Sequence, residues 1–123
     1  MDRNRPAARL ARLKRRHAAL QRRLLTLGPT IQGSILRRLI PREDPDRPGQ
    51  TKEYGPYYQW TRKVQGHTVI QNLSPSQAKT YARAIRENQT LDNTLAEIRR
   101  ISLEILELTT QGVRKRAPRR NTT

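Results

Sequence analysis

The sequence contains no cysteine and no phenylalanine, and its aromatic residues are one tryptophan and four tyrosines. Without cysteine the chain has no disulfide bonds and no thiolate metal site. No apolar run approaches the roughly 18 to 20 residues of a transmembrane helix. The basic segment from Met1 to Arg16 lacks the apolar core of a secretory signal. We therefore expect a soluble, cytoplasmic protein that does not insert into a membrane.

Acidic residues are scarce. The 123 residues include 10 Asp and Glu against 26 Lys and Arg, a formal net charge of +16. Such a charge favours polyanionic partners, and nucleic acid above all, because binding to phosphates releases condensed counterions. Hydrophobic residues make up only 33% of the chain. This low content predicts a thin core, so formation of a homodimer is a further expectation.

Groups suited to catalysis or metal binding are also few. The two histidines, His17 and His67, fall in different predicted elements and have no nucleophile or ligand partner nearby in the sequence. An acidic cluster lies within residues 41–53, but arginines bracket it and offer local ion pairs. No glycine motif for phosphate or dinucleotide binding is present. The sequence therefore predicts a protein that is not an enzyme, with no catalytic residue, metal or cofactor.

A regular leucine spacing marks the first predicted helix. The seam residues are Leu10, Leu13, His17, Leu20, Leu24 and Leu27. Their alternating intervals of three and four are typical of an amphipathic helix or a coiled coil. Pro6 suits the first turn, and Gly28-Pro29 ends the pattern. We predict a helix over residues 6–27.

Arginines follow the same helix. Arg9, Arg16 and Arg23 fall on one line beside the leucine seam, and Arg15 and Arg22 fall on the next line. Because the first 30 residues contain nine basic residues and a single acidic one, the guanidinium groups would repel one another without an external anion. A solvated helix face is the alternative interpretation.

The middle of the chain reads as β-structure. Residues 34–40 are compatible with a strand, whereas residues 41–53, with three prolines and one glycine, predict an exposed loop. Strands over 57–63 and 67–73 flank a Gln65-Gly66 turn, which pairs Val64 with His67. Alternation then separates a core face from a polar face tipped by an aromatic residue.

The C-terminal helix has a well-defined start. Ser74-Pro75-Ser76-Gln77 forms a capping box with proline at the first helical position. The helix is predicted over residues 75–111, and its wide apolar face predicts packing on both the hairpin and the first helix. Residues 113–123 contain five basic and no acidic residues. They predict a disordered arm that follows a phosphate backbone, with a solubilising tail as the alternative.

These patterns divide the chain into a basic helix (1–28), a hairpin with a long helix (29–112) and a basic tail (113–123). The predicted nucleic-acid-binding residues are Arg9, Arg12, Arg15, Arg16, Arg22 and Arg23 in the first helix, Tyr57, Arg62 and Lys63 in the hairpin, and Arg114, Lys115 and Arg116 in the tail. In the hairpin, aromatic rings beside basic side chains can stack on bases while the cations hold phosphates. The alternative is that these rings serve the core of the sheet.

The run from Gly55 to Ala78, which begins Gly-Pro-Tyr-Tyr-Gln-Trp-Thr-Arg-Lys, resembles the signature of a family of small uncharacterised bacterial proteins often encoded near transposases. The resemblance extends to residues 27–29, 33–35 and 91–108, about two-thirds of the chain. Many relatives carry a cysteine cluster between the Gly-Ser and Gly-Pro-Tyr-Tyr segments, where this chain has none. The resemblance implies a shared fold and a mobile-element setting, and it supplies no site residues.

The predicted fold is α+β, with two long helices (about 6–27 and 75–111) packed on a short antiparallel β-hairpin or three-stranded sheet. The predicted function is that of a non-enzymatic nucleic-acid-binding accessory protein of a mobile element, with DNA favoured over RNA. Two alternatives stay open: a component of a ribonucleoprotein that binds structured RNA, and a coiled-coil assembly protein that pairs with a transposase or with a second copy.

Overall fold

The computed structural model describes residues 5–113. In chain order its elements are α1 (Pro6–Leu24), β1 (Ser34–Glu43), β2 (Thr51–Val64), β3 (His67–Leu73) and α2 (Pro75–Thr109). The strands form one antiparallel sheet in the order β1-β2-β3. The predicted α+β fold with two long helices and a three-stranded sheet is confirmed. Neither helix of residues 5–113 combines the length and the apolar character needed to cross a lipid bilayer.

The chain divides into two compact units. The described part of the first, which we call the helical unit, consists of residues 5–25 and 94–113. The second, which we call the sheet unit, consists of Thr26–Asn93. These bounds differ from the sequence-based division at residues 28 and 112, because α2 contributes its first half to the sheet unit and its second half to the helical unit.

In the helical unit, the leucine seam of α1 provides the buried surface. Leu20 of α1 and Ile101 of α2 are each 1% exposed, and most other seam positions are half-buried. The helix ends at Leu24, three residues before the predicted end. Pro29 has no N–H to offer the carbonyl of Leu25, so the helix loses a bond there. At the helix end the Leu25 N–H donates to Arg22 O and closes a tighter final turn.

The hairpin register is as predicted, with Val64 opposite His67 and both Gln65 and Gly66 at positive φ (49° and 81°). The predicted loop over residues 41–53 is shorter than expected, and its bounds are wrong at both ends. β1 continues to Glu43 and β2 begins at Thr51, so only residues 44–50 connect them. Pro41 is accommodated because β1 is an edge strand, where a residue without an N–H is tolerated.

One face of the sheet packs on the first half of α2 through Trp60. The Trp60 ring meets Tyr81 edge-to-face, with centroids 5.2 Å apart and planes at 86°. Its indole N–H donates to Gln32 O at 2.9 Å. The predicted capping box also forms: Gln77 N donates to Ser74 Oγ at 3.1 Å, and Ser74 N donates to Gln77 Oε1 at 2.9 Å. α2 therefore starts at Pro75 as predicted, although it ends at Thr109 rather than at 111.

Candidate nucleic-acid interface

Three arginines form a stripe on the solvent side of α1. Arg12, Arg15 and Arg22, which we call the outer arginine stripe, are all exposed. Their spacings of three and seven residues place them on one side of the helix, away from the leucine seam. None of them forms an ion pair with a carboxylate among residues 5–113. The stripe therefore presents positive charge that the described part of the chain does not neutralise.

The arginines beside the seam are in a different situation. Arg9 Nη2 lies 3.3 Å from Glu104 Oε2, and the Arg16 guanidinium contacts both carboxylate oxygens of Glu97 at 3.2 Å. As α1 advances seven residues, its partner on α2 recedes by seven, so the two segments run antiparallel. Positions beside a helix seam face the flanking positions of the partner helix, which is why these arginines meet acids.

The sequence-based inference that the α1 arginines need an external anion is therefore corrected for two of them. Arg9 and Arg16 have anions within the chain, and Arg100 joins their two partners by contacting Glu97 at 3.7 Å and Glu104 at 3.1 Å. Arg23 also interacts with the protein and is not counted in the outer arginine stripe. Exposed ion pairs of this kind contribute only about 0–1 kcal/mol each. Their consequence is that one edge of α1 is neutralised by acids of α2.

The three residues predicted in the hairpin do not share a surface. Tyr57 and Lys63 lie on one face of the sheet, because they alternate with Tyr58, Trp60 and Arg62 along β2. Arg62 is on the face that carries Trp60. Only Tyr57 and Lys63 therefore belong to a common candidate surface.

Arg62 is engaged within the sheet unit. Its guanidinium carbon lies 3.8 Å from the centroid of the Trp60 ring, a cation–π contact. Its Nη1 is buried and has no hydrogen-bond partner, which is costly for a charged group. This geometry makes Arg62 a packing partner of Trp60, and Arg62 therefore does not belong to the candidate interface.

The face that carries Tyr57 and Lys63 is the open sheet face. Its residues are Ser34, Leu36 and Arg38 of β1, Tyr57, Gln59, Thr61 and Lys63 of β2, and Thr68, Ile70 and Asn72 of β3. It contains two cations and no carboxylate, and Tyr57 and Ile70 are 42% and 59% exposed. The sequence-based site omitted Arg38 of this face. No local pattern predicts the pairing of β1 with β2, and the structure places Arg38 directly opposite Tyr57.

The acidic cluster of residues 43–46 is used by its own loop. Asp44 Oδ1 accepts a hydrogen bond from Asp46 N at 2.9 Å, and Asp44 N donates to Gln50 O at 2.8 Å. Among residues 5–113 no group of three or more acids and histidines is arranged to hold a metal ion. The predicted tail residues Arg114, Lys115 and Arg116 lie outside the described residues.

Fold and surface together define a small basic α+β protein with a cationic helical unit and an open, acid-free sheet face. No protein-family model, curated protein or solved structure matches the chain. The family resemblance of the Gly55 to Ala78 run therefore stays a prediction, and the function has to be argued from the surfaces themselves.

Proposed function

We propose that this protein is a non-enzymatic nucleic-acid-binding protein that acts on DNA, as an accessory protein of a mobile element. The observation that carries the proposal is the outer arginine stripe, whose three guanidinium groups have no acidic partner in the described part of the chain. The mobile-element setting rests on the resemblance of the hairpin motif alone.

The dimensions of the stripe suit a phosphate backbone. Arg12 and Arg22 are ten residues apart on one helix, which corresponds to roughly 15 Å. Successive phosphates of one DNA strand are about 3.4 Å apart along the helix axis, so this length follows several of them. Guanidinium groups also bind phosphate oxygens in a bidentate manner. Such contacts supply affinity and orientation without reading base sequence.

The proposal is tested by removing charge from the stripe. The double variant Arg15→Gln/Arg22→Gln should bind a 20-base-pair duplex at least about tenfold more weakly at 0.1 M salt, since it loses two phosphate contacts. The matched control is Arg83→Gln/Arg86→Gln, which removes the same charge from exposed positions of α2. We expect the control to stay within about threefold of the unchanged protein in the same fluorescence anisotropy titration.

Two results would contradict the proposal. Absence of duplex binding by the unchanged protein at low salt would remove the function altogether. Equal losses in the two double variants would show that net charge, and not α1, supplies the affinity. Competition with a duplex RNA of the same sequence tests the alternative of a structured-RNA partner, and stronger competition by the RNA would favour it.

A second candidate function is assembly with another copy of the chain. Leu103 and Leu106 of α2 are 58% and 56% exposed and lie three residues apart on one helix surface. Light scattering of nuclease-treated protein tests this candidate. A dimer mass that returns to monomer in Leu103→Gln/Leu106→Gln would support it, and a monomer mass for the unchanged protein would remove it.

A further inference from the structure

A cavity opens at one end of the open sheet face, where β3 stops and the β1–β2 ribbon continues. Its volume is about 270 Å³, just below the range of roughly 300–1,000 Å³ for sites that enclose drug-sized ligands. Tyr57, Gln59 and Asn72 line it together with Arg42, and Ile40 and Leu73 add apolar surface. The size and the mixed lining suit one small planar group, and not a whole extended ligand.

The strand geometry that forms this cavity depends on an irregularity next to Tyr57. The pairing shifts between Arg38 and Ile40, so that β2 contains one residue more than β1 at this point. Gly55 lies in the bulge with φ of 128°, and a Cβ there would be 2.9 Å from both Arg38 O and Tyr57 N. The close approach of the two strands sets the position of Tyr57 at the mouth of the cavity.

Two amides supply the polar part of the lining. Gln59 Nε2 donates to Asn72 Oδ1 at 3.2 Å, so the pair is held in one orientation. Gln59 Oε1 and Asn72 Nδ2 form no hydrogen bond with another residue in the described range. The pair therefore keeps one acceptor and one donor for a ligand, and the edge of a nucleobase presents partners for both.

The charge of the surroundings indicates what is attached to that planar group. The cavity lining contains Arg42 and no carboxylate, and the open sheet face adds Arg38 and Lys63. A planar ring with a hydrogen-bonding edge, linked to phosphates, is a nucleotide. In a duplex each base is stacked and paired, so its face and its Watson–Crick edge are both unavailable to Tyr57 and the amides. An unpaired nucleotide exposes both.

We propose that the open sheet face and its cavity bind single-stranded DNA, with one unpaired base stacked on Tyr57 and hydrogen-bonded to Gln59 and Asn72. Arg38 and Arg42 hold the adjoining phosphates. This proposal rests on the proposed function in taking DNA as the partner, and it adds a site for unpaired DNA to the phosphate contacts of the outer arginine stripe. The cavity site binds a single strand, whereas the outer arginine stripe contacts the phosphates of single-stranded and duplex DNA alike.

The test uses the full chain with a 12-nucleotide single-stranded DNA, its duplex, and a single-stranded RNA of the same sequence. Tyr57→Leu should weaken binding of the DNA strand by about fivefold to a hundredfold, because one stacked base is lost. Duplex binding should change by less than about twofold. Tyr54→Leu is the matched control, since Tyr54 is in the same strand and does not line the cavity. It should leave both affinities within about twofold.

A measurement on the unchanged protein accompanies the variants. In an NMR titration with the DNA strand, the side-chain NH₂ signals of Gln59 and Asn72 should shift and reach a plateau with the binding curve. Addition of the duplex should leave the positions of these NH₂ signals unchanged.

The proposal is overturned if Tyr57→Leu and Tyr54→Leu behave alike, if the amide signals do not move at saturation, or if only the RNA strand depends on Tyr57. In each of these cases duplex binding through the outer arginine stripe still stands. A different result would separate the two proposals. If the unchanged protein does not bind the duplex, but Tyr57→Leu still weakens binding of the DNA strand, the proposed function is removed and the cavity site is kept.

Discussion

Trp60 organises the sheet unit at the scale of single residues. Its indole N–H reaches back 28 residues to Gln32 O, its ring makes an edge-to-face contact with Tyr81 of α2, and its face carries the Arg62 guanidinium. An aromatic ring with both a polar edge and a flat face can make all three contacts at once. The approach of the chain to the indole requires a residue without a side chain at Gly33, because that residue lies against Trp60 Nε1 and Thr61 O.

Gly33→Ala should therefore destabilise the sheet unit. Gly33 has φ of 113°, and a Cβ there would lie 2.6 Å from Trp60 Nε1. We expect a loss of about 1–3 kcal/mol in the free energy of unfolding from strain at this position. Urea unfolding followed by the fluorescence of the single tryptophan measures it. Gly28→Ala is the control, because nothing lies within 4 Å of a Cβ at Gly28, and an equal loss there would refute the steric explanation.

At the scale of elements, α2 is a single 35-residue helix with two sets of neighbours. Its first half carries Tyr81, which contacts Trp60, and its second half carries Glu97 and Glu104, which pair with α1. This dual use explains why its apolar residues are spread more widely than a coiled-coil seam requires. The start of the helix also fixes where β3 must end, since only Ser74 separates the two elements.

The capping box gives a prediction for this helix. Ser74→Ala removes the acceptor of the Gln77 N–H bond, which is 3.1 Å long, and should lower the free energy of unfolding by about 1 kcal/mol. Ser76→Ala serves as the control, because Ser76 is exposed two residues further along and its hydroxyl caps nothing among the described residues. Thermal unfolding followed by circular dichroism compares the two. A loss in the control as large as in Ser74→Ala would argue against capping.

For the whole molecule, the distribution of charge matters more than its total. The described helical unit contains ten basic and three acidic residues, and the sheet unit contains ten basic and six acidic residues. Two acids of the helical unit neutralise the edge of α1 that faces α2. Three of the remaining cations, Arg12, Arg15 and Arg22, lie on the solvent side of α1, where a polyanion has access to them.

This distribution predicts a steep dependence of DNA binding on salt. If about six phosphates are neutralised, a plot of log K against log salt should have a slope near −5 on duplex DNA. Arg15→Gln/Arg22→Gln should reduce the magnitude of that slope by about 2, since two contacts are lost. Anisotropy titrations between about 50 and 200 mM salt measure both slopes. A slope near zero, or one unchanged in the double variant, is incompatible with phosphate contacts from the outer arginine stripe.

Much of the fold was accessible from local patterns. The leucine seam predicted α1, the Gln65-Gly66 turn predicted the register of β2 with β3, and the capping box predicted the start of α2 to the residue. Predictions based on composition were less successful. Residues 41–53 looked like a loop because of their prolines, yet residues 41–43 and 51–53 at its two ends are paired strand, since pairing between β1 and β2 outweighs the local preference there.

The candidate site was accessible only in part. Helical periodicity separated the arginines of α1 into lines, but the acids that pair with Arg9 and Arg16 lie 95 and 81 residues away in the sequence. Strand alternation already placed Arg62 beside Trp60, and the structure shows the ring contact that withdraws it from the surface. No sequence pattern indicated the cavity beside Tyr57, because the cavity depends on where β3 stops against β2 and on the bulge at Gly55.

The sequence by itself determined the excess of positive charge, the amphipathic helices, the hairpin register and the helix cap, because these follow from composition or from residues within a few positions of one another. The tertiary structure alone decided which arginines remain available and where a cavity opens on the sheet. Both outcomes depend on side chains brought together from distant parts of the chain, and the energy of such contacts does not appear in any local pattern. The positive charge of α1 is thus confined to a defined surface, the outer arginine stripe, because acids of α2 neutralise the other edge of the helix.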